Sequence, residues 1–240
     1  MGKIDRKSIK VLWVSLVKFP PLCEHLGETI PAHCGWMYSS AKALLRMMPE
    51  VRLGVMVYSY GRSYERYEID GVTYYLIPTG RIDRTSKKQI ETCRRAIRDF
   101  APDLMHIHGT EHSLAKAACV ANENGTRMVA NIQGLAGPYM RYADGGLSLW
   151  NKWTNITPLD FYRGTFLLNA KRNFKHRAEC ENYVLTYITD IVGRTQWDCD
   201  HVMTVKSSTA LSLYEMKHCE IRFMKFPVGI MPSVKNIRFS

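Results

Sequence analysis

The chain lacks any apolar run near the ~18–20 residues that a bilayer-spanning helix needs, so a helical membrane protein is not the reading. Its seven cysteines are scattered, with no C-x-x-C pair and no zinc-like spacing. That excludes a disulfide framework and a zinc finger, and reads as reduced thiols in a cytoplasmic protein. The opening MGKIDRKSIKVLWVSL has no long apolar region and no cleavage site, so no secretory signal is expected. Arg6 stands where a myristoylation motif has Ser or Thr. There is no G-x-G-x-x-G and no G-x-x-x-x-G-K-[ST], and dinucleotide and P-loop readings lose their support. No cofactor is expected.

What is present is a chain of 240 residues, 46% hydrophobic, long enough to bury a core. Its 33 bases against 22 acids give a formal charge of +11, which suits an anionic partner: nucleic acid, a phosphorylated small molecule or an anionic membrane. IKVLWVSLV (9–17) is a continuous apolar run, as in a strand buried on both faces of a parallel sheet. A loop rich in Pro and Gly follows, then a helix over Met37–Met48 with Ser39 or Ser40 near its start. VRLGVMVYS reads as a strand, and Asp70-Gly71 between two alternating runs as a hairpin. SKKQIETCRRAIRDFAP is a basic amphipathic helix ending near Pro102. DLMHIHG is a strand, EHSLAKAACVANENG a helix with Gly125 at its C-cap, and TRMVANIQG a strand. This alternation predicts an α/β fold with a doubly wound, Rossmann-like parallel sheet. From Leu147 the character changes to mixed aromatics and bases. DIVGRTQWDCDHVMTV reads as strand and turn, and after Val205 the rhythm weakens.

Ligands of a doubly wound sheet bind at the carboxyl ends of its strands. Three loops leave such ends here. The first carries His33, Cys34, Gly35 and Trp36 before a helix, where backbone amides can approach a phosphate or sugar; an ordinary strand-to-helix loop is the alternative. The second is HIHGTEH. His106 and His108 share one side of their strand. A zinc site would need a third ligand from His112 or Glu111, so His106 is read as a satisfied structural histidine lying deeper, with His108 and Glu111 at the ligand. The third is NIQGLAGPY, where Gln133 and Gly134 end a strand. The amide suits sugar hydroxyls, or caps the next helix. Arg194 is placed to fix an anionic group or to pair with Asp198.

Taken together, VLWVS, the loop ending in GWM, PDLMHIHGTEHSLA, VANIQGLAGPY and DIVGRTQWD resemble the N-terminal half of glycosyltransferases of the GT-B fold. They are most similar to the family-four enzymes of bacterial polysaccharide assembly, over roughly Ile9 to Val205. Two positions depart from the pattern: Cys34 replaces the first glycine of a Gly-Gly pair, and Gln133 stands where many relatives carry a histidine. The resemblance implies an acceptor-binding domain and transfer of a sugar, with retention, from a nucleotide sugar to a glycan or lipid-linked acceptor. His108 would line the cleft, and the donor-phosphate contacts would come from a C-terminal domain for which this chain is too short. Alone, the domain would be inactive or nearly so.

Residues 1–205 are thus read as a glycosyltransferase acceptor domain, with no nucleic acid partner and the donor domain absent. The alternative is a basic, non-catalytic module binding nucleic acid or an anionic membrane. Trp150 to Arg177 interleaves aromatics with Lys152, Arg163, Lys171, Arg172, Lys175 and Arg177. That composition predicts docking on an anionic membrane, or else a helical excursion packed on the sheet. The tail 206–240 is expected to be irregular and out of its ancestral frame, with Phe223, Phe226 and Ile230 exposed. Codons permitted for EMKHCEIRFMK, read two bases later, give NETLRDSFYE, which resembles the segment following GRT-x-WD in family relatives.

Overall fold

The computed structural model describes residues 8–80, 84–143, 145–159, 167–208 and 221–223, with backbone alone for 167–171 and 221–223. The apolar run IKVLWVS becomes β1 (Ile9–Ser15), whose last five residues are all buried. On one side of it lie β2 (Val51–Ser59) and β4 (Val72–Pro78), both parallel, and then β3 (Glu65–Ile69), the antiparallel partner of β4. On the other side, in parallel, follow β5 (Leu104–His108), β6 (Arg127–Asn131), β7 (Asp190–Gly193) and β8 (Ile221–Phe223). The order among the described residues is β3-β4-β2-β1-β5-β6-β7-β8. From β1 the chain winds outward to β4, then returns to β1's other side at β5. The doubly wound α/β sheet expected from the alternation is what forms, and its switch point lies between β1 and β5.

Helices cover both faces. α1 (Pro20–Leu26) and α2 (Gly35–Met47) bury Leu22, Met37 and Ala41 against Trp13, Val55 and Val57. α3 (Lys87–Phe100) and α4 (Ser113–Ala121) pack on the opposite face, against Leu12, Val14, Met105 and Ile107. α5 (Ala136–Tyr142), α6 (Leu149–Thr154), α7 (Leu167–Tyr187) and α8 (Gln196–Ser208) complete the described α-helices, and a 3-10 turn, Ala32–Cys34, leads into α2. Val184 of α7 and Val202 of α8 join the second core. Gly54 stands in mid-strand because Phe100 lies against it. A Cβ there would come within 2.9 Å of the Phe100 ring and of Leu12 Cδ1.

Local signals explain most boundaries. Asp70 and Gly71 both take positive φ (51° and 75°), as a two-residue hairpin turn requires. Ser86 accepts from Gln89 N at 3.1 Å to start α3, which ends at Ala101 in the left-handed region just before Pro102. Three expectations are corrected. The Pro-rich segment after β1 is not all loop: prolines in its first turn and Gly27 at φ 66° bracket α1. Gly125 does not cap α4, because Asn122 ends that helix and ties Thr126 through two hydrogen bonds of 2.8 and 3.0 Å. The stretch after β7 is helical rather than turn-like. Thr195 Oγ1 accepts from Asp198 N at 3.2 Å and Asp198 Oδ2 accepts from Thr195 N at 3.0 Å, a reciprocal cap that launches α8. That helix runs past Val205 to Ser208, with Lys206 buried and donating to Ile188 O. Phe226 and Ile230 lie outside the described residues, as do Arg163 and the side chains of Lys171 and Phe223.

Candidate functional site

The carboxyl ends of β1, β5 and β6 converge at the switch point. His106 and His108 project from β5 on Trp13's side of the sheet, because side chains alternate along a strand. Their rings lie 4.0 Å apart between centroids, with Trp13 4.5 Å from His108 and Trp36 6.4 Å from it. Trp36, in the first turn of α2, is 50% exposed and forms a lip over the nearly buried His108. Gly35 beside it has φ −58° and nothing within 4 Å of a Cβ, so a side chain could stand there without strain.

The order of depth is the reverse of that expected: His108 is 5% exposed, while His106 is only half-buried. Nor is His106 satisfied, for its Nε2 has no hydrogen-bond partner, and neither ring nitrogen of His108 has one. Burial lowers the His106 pKa to about 4 and holds His108 well below its usual value, with His106's own charge adding to the effect. Both rings are therefore neutral near pH 7, and each offers one donor and one acceptor.

Beyond β5 the chain turns at Gly109 (φ 88°), a position that favours glycine and where a Cβ would meet His112 and Glu111 at 3.2–3.3 Å. Thr110, fully buried, leaves its Oγ1 unpartnered. Glu111 Oε1 lies 3.0 Å from His112 Nε2, and its Oε2 is unpartnered. Burial works against the Glu111 charge, but the His112 contact and the Arg177 charge outweigh it and hold the pKa below the usual value. From β6 come Asn131 and Gln133, whose Oδ1 and Nε2 are buried without partners, and Gly134, where a Cβ would lie 4.0 Å from Glu111. Gln133 does not cap α5. That role falls to Glu181 of α7, fully buried, which accepts from Ala136 N at 2.6 Å and Gly137 N at 3.1 Å and meets His201 Nε2 at 2.8 Å. Arg194 does not pair its guanidinium with Asp198, whose carboxylate is spent on backbone amides. Instead Arg194 donates to the Gln133 carbonyl at 2.5 Å, at the rim of the site.

At the carboxyl ends of the strands, Trp36 meets His108, Glu111 lies beside Gly134, and Arg194 donates to Gln133 O. Sequence reasoning passed over Thr110, Asn131 and Arg177 as site residues; only the strand-exit position of the first two could have signalled them. A crevice lined by Val14, Ser15, Tyr58, His108, Gly109 and His112 is too tight for a water molecule. A buried polar group left unpaired costs about 1–3 kcal/mol. A cluster of them at a sheet's ligand-binding edge is suited to a partner rich in hydroxyls.

The fold and the place of this cluster define a doubly wound α/β protein with a group of unpartnered polar atoms at its switch point. No family model and no curated protein matches the chain. Among solved structures it is similar to sucrose-phosphate synthase from Thermosynechococcus elongatus, at 8% identity and a TM-score of 0.48, over 82% of this chain and 45% of that one. It is similar also to Medicago truncatula UGT71G1 complexed with UDP-glucose, at 10% identity and a TM-score of 0.38, over 90% and 50% of the two chains. A third likeness is to an α,α-trehalose-phosphate synthase (UDP-forming) from Burkholderia xenovorans in complex with glucose-6-phosphate, at 9% identity and a TM-score of 0.38, over 85% and 43%. The chain spans about half the length of the solved structures it matches.

Proposed function

We propose that this chain is the acceptor-side domain of a glycosyltransferase that moves a sugar from a nucleotide sugar to a glycan or lipid-linked acceptor in polysaccharide assembly. The observation that carries the reading is the set of unpartnered, buried hydrogen-bonding atoms at the switch point: His106 Nε2, both His108 nitrogens, Thr110 Oγ1, Asn131 Oδ1 and Gln133 Nε2. Neutral imidazoles and amides match the alternating donors and acceptors of sugar hydroxyls. They would hold an acceptor hydroxyl in line, which is most of what such a transfer asks of this half of the cleft. Donor phosphates would be held by a second domain. The same reading takes the tail from 206 as translated out of its ancestral frame, which the gene's sequence would decide.

Calorimetry against a panel of neutral oligosaccharides tests the site. One member should bind saturably, and His108→Ala should weaken it about tenfold, the loss expected for a hydrogen bond plus ring contact. Contacts without charge are little screened, so raising the salt should leave the affinity unchanged. Binding to generic DNA that falls steeply with salt, with no glycan bound, would instead favour the basic-module reading.

The reading includes contact with an anionic membrane. Its support is the exposure of Leu149, Trp150 and Trp153 on α6 and of Tyr142 on α5, with Arg172 and Lys175 exposed on α7. No described helix is long and apolar enough to cross a membrane. Co-sedimentation should be stronger with vesicles rich in acidic lipid than with neutral ones, and Trp150→Ser should reduce it. Equal sedimentation with both would remove the membrane from the reading.

A further inference from the structure

On the face of the sheet away from the histidine pair, α4, α7 and the segment entering α3 enclose a second pocket of about 410 Å³. Its polar walls are Arg84, Thr85, Lys116, His176 and Glu179. Arg84 Nη2 lies 3.1 Å from His176 Nε2. A guanidinium can only donate, so Nε2 accepts and the ring proton sits on Nδ1. That nitrogen faces Glu179 Oε2 at 3.2 Å. The imidazole therefore links the Arg84 cation to the one carboxylate in the wall. Lys116 has no carboxylate within 4.0 Å among the described residues; its ammonium lies 5.1 Å from the centre of the Tyr183 ring. Thr85 is already committed, donating to Ser113 O at 3.2 Å. Two cations against one carboxylate leave the pocket positive, and among the described residues most donors of Arg84 and Lys116 stay open.

We infer that this pocket binds a phosphate-bearing small molecule, its phosphoryl oxygens held between Arg84 and Lys116. A planar fork and a compact ammonium approaching one volume from two elements suit a tetrahedral oxyanion, whose oxygens can accept from both. The size fits a molecule of the bulk of a hexose monophosphate rather than a bare ion. Glu179 sits on the opposing side of the balance and sets the affinity. Nothing in this inference depends on the proposed sugar-transfer role, since no residue is shared with the switch-point cluster.

Calorimetry on the full chain, with a hexose monophosphate, inorganic phosphate and the parent hexose as probes, tests it. The hexose monophosphate should bind saturably and more weakly at high salt, while the parent hexose should not compete. Arg84→Gln and Lys116→Gln should each weaken binding about tenfold, and Glu179→Gln should tighten it about threefold. His108→Ala should leave it unchanged. Equal binding of inorganic phosphate would show that the phosphoryl group alone is recognised. Thermal unfolding of each variant keeps a folding defect from passing as lost binding. The inference is overturned if folded Arg84→Gln and Lys116→Gln variants bind as the parent does, or if His108→Ala is the variant that loses the phosphate.

Discussion

Unfolding in urea is expected to show the chain losing stability steeply between pH 6.5 and pH 4, with about 2 kcal/mol of the loss at pH 5 and about 3 kcal/mol at pH 4 traceable to His106 alone. In the unfolded chain that ring titrates near 6.5; in the fold, burial lowers it to about 4. Above pH 6.5 the ring is neutral in both states and contributes nothing to the pH dependence. Between 6.5 and 4 the unfolded state takes up a proton that the folded state refuses, so unfolding is favoured as pH falls. Below about 4 both states are protonated and the loss levels off. His108 is depressed in the same direction, and its burial and its neighbour's charge steepen the fall. Carboxylates also respond to acid, so the diagnostic quantity is the difference between parent and His106→Phe, a neutral ring of similar size. The variant should lack this part of the slope. If both chains lose the same stability between pH 7.5 and pH 4.5, His106 does not titrate as its burial implies. Glycan affinity, a property of the folded chain, should hold down to about pH 5 and fall only as pH approaches 4, where the folded ring takes up its proton and loses its acceptor.

Glu181→Ala is expected to cost about 3 kcal/mol in unfolding free energy. The carboxylate is fully buried and serves three donors at once: Ala136 N, Gly137 N and the His201 ring. Truncation leaves two helix-start amides and an imidazole without their acceptor, and opens a void where α5, α7 and α8 meet. Gly137 has no side chain because that carboxylate stands against it; a Cβ would come within 3.1 Å of Glu181 Oε1. Glu181→Gln keeps the volume and one acceptor oxygen and should cost clearly less. A loss below about 1 kcal/mol for Glu181→Ala, the size of a surface substitution, would show that water replaces the carboxylate readily.

How far the sequence foretold this can be followed residue by residue. β1, β2, β5 and β6 were legible because a strand buried on both faces must be apolar along its length. α3 was legible because its basic and apolar residues alternate at helical spacing between Ser86 and Pro102. α1 was missed because seven residues are too few for a period to show, although Pro20 and Gly27 mark its ends. α8 was missed because its apolar and polar residues do not segregate to faces, and only Thr195 and Asp198 announce its start. At the site, residues on strand exits were readable from position alone. Arg177 and Glu181 were not. They arrive from α7, some 45–70 positions away in the chain, and no local pattern connects them to the loops they serve. Arg194 was read as holding an anion or Asp198, but its guanidinium donates to the Gln133 backbone carbonyl, and a carbonyl leaves no mark in a sequence.

The antiparallel strand β3 has a consequence for the protein's life at high concentration. It closes one margin of the sheet, and a margin is where a second molecule could add its own strand and begin a fibre. β3 is short and carries ERYEI, with charges at three of five positions. Arg66 holds Asp99 at 3.1 Å and lies 3.6 Å from Glu68, so the charges are fixed to the fold rather than free to fold away. A neighbour docking there would have to strip water from those groups before gaining a single backbone hydrogen bond. The hairpin set by Asp70 and Gly71 thus shields the apolar strands behind it from self-association at that margin.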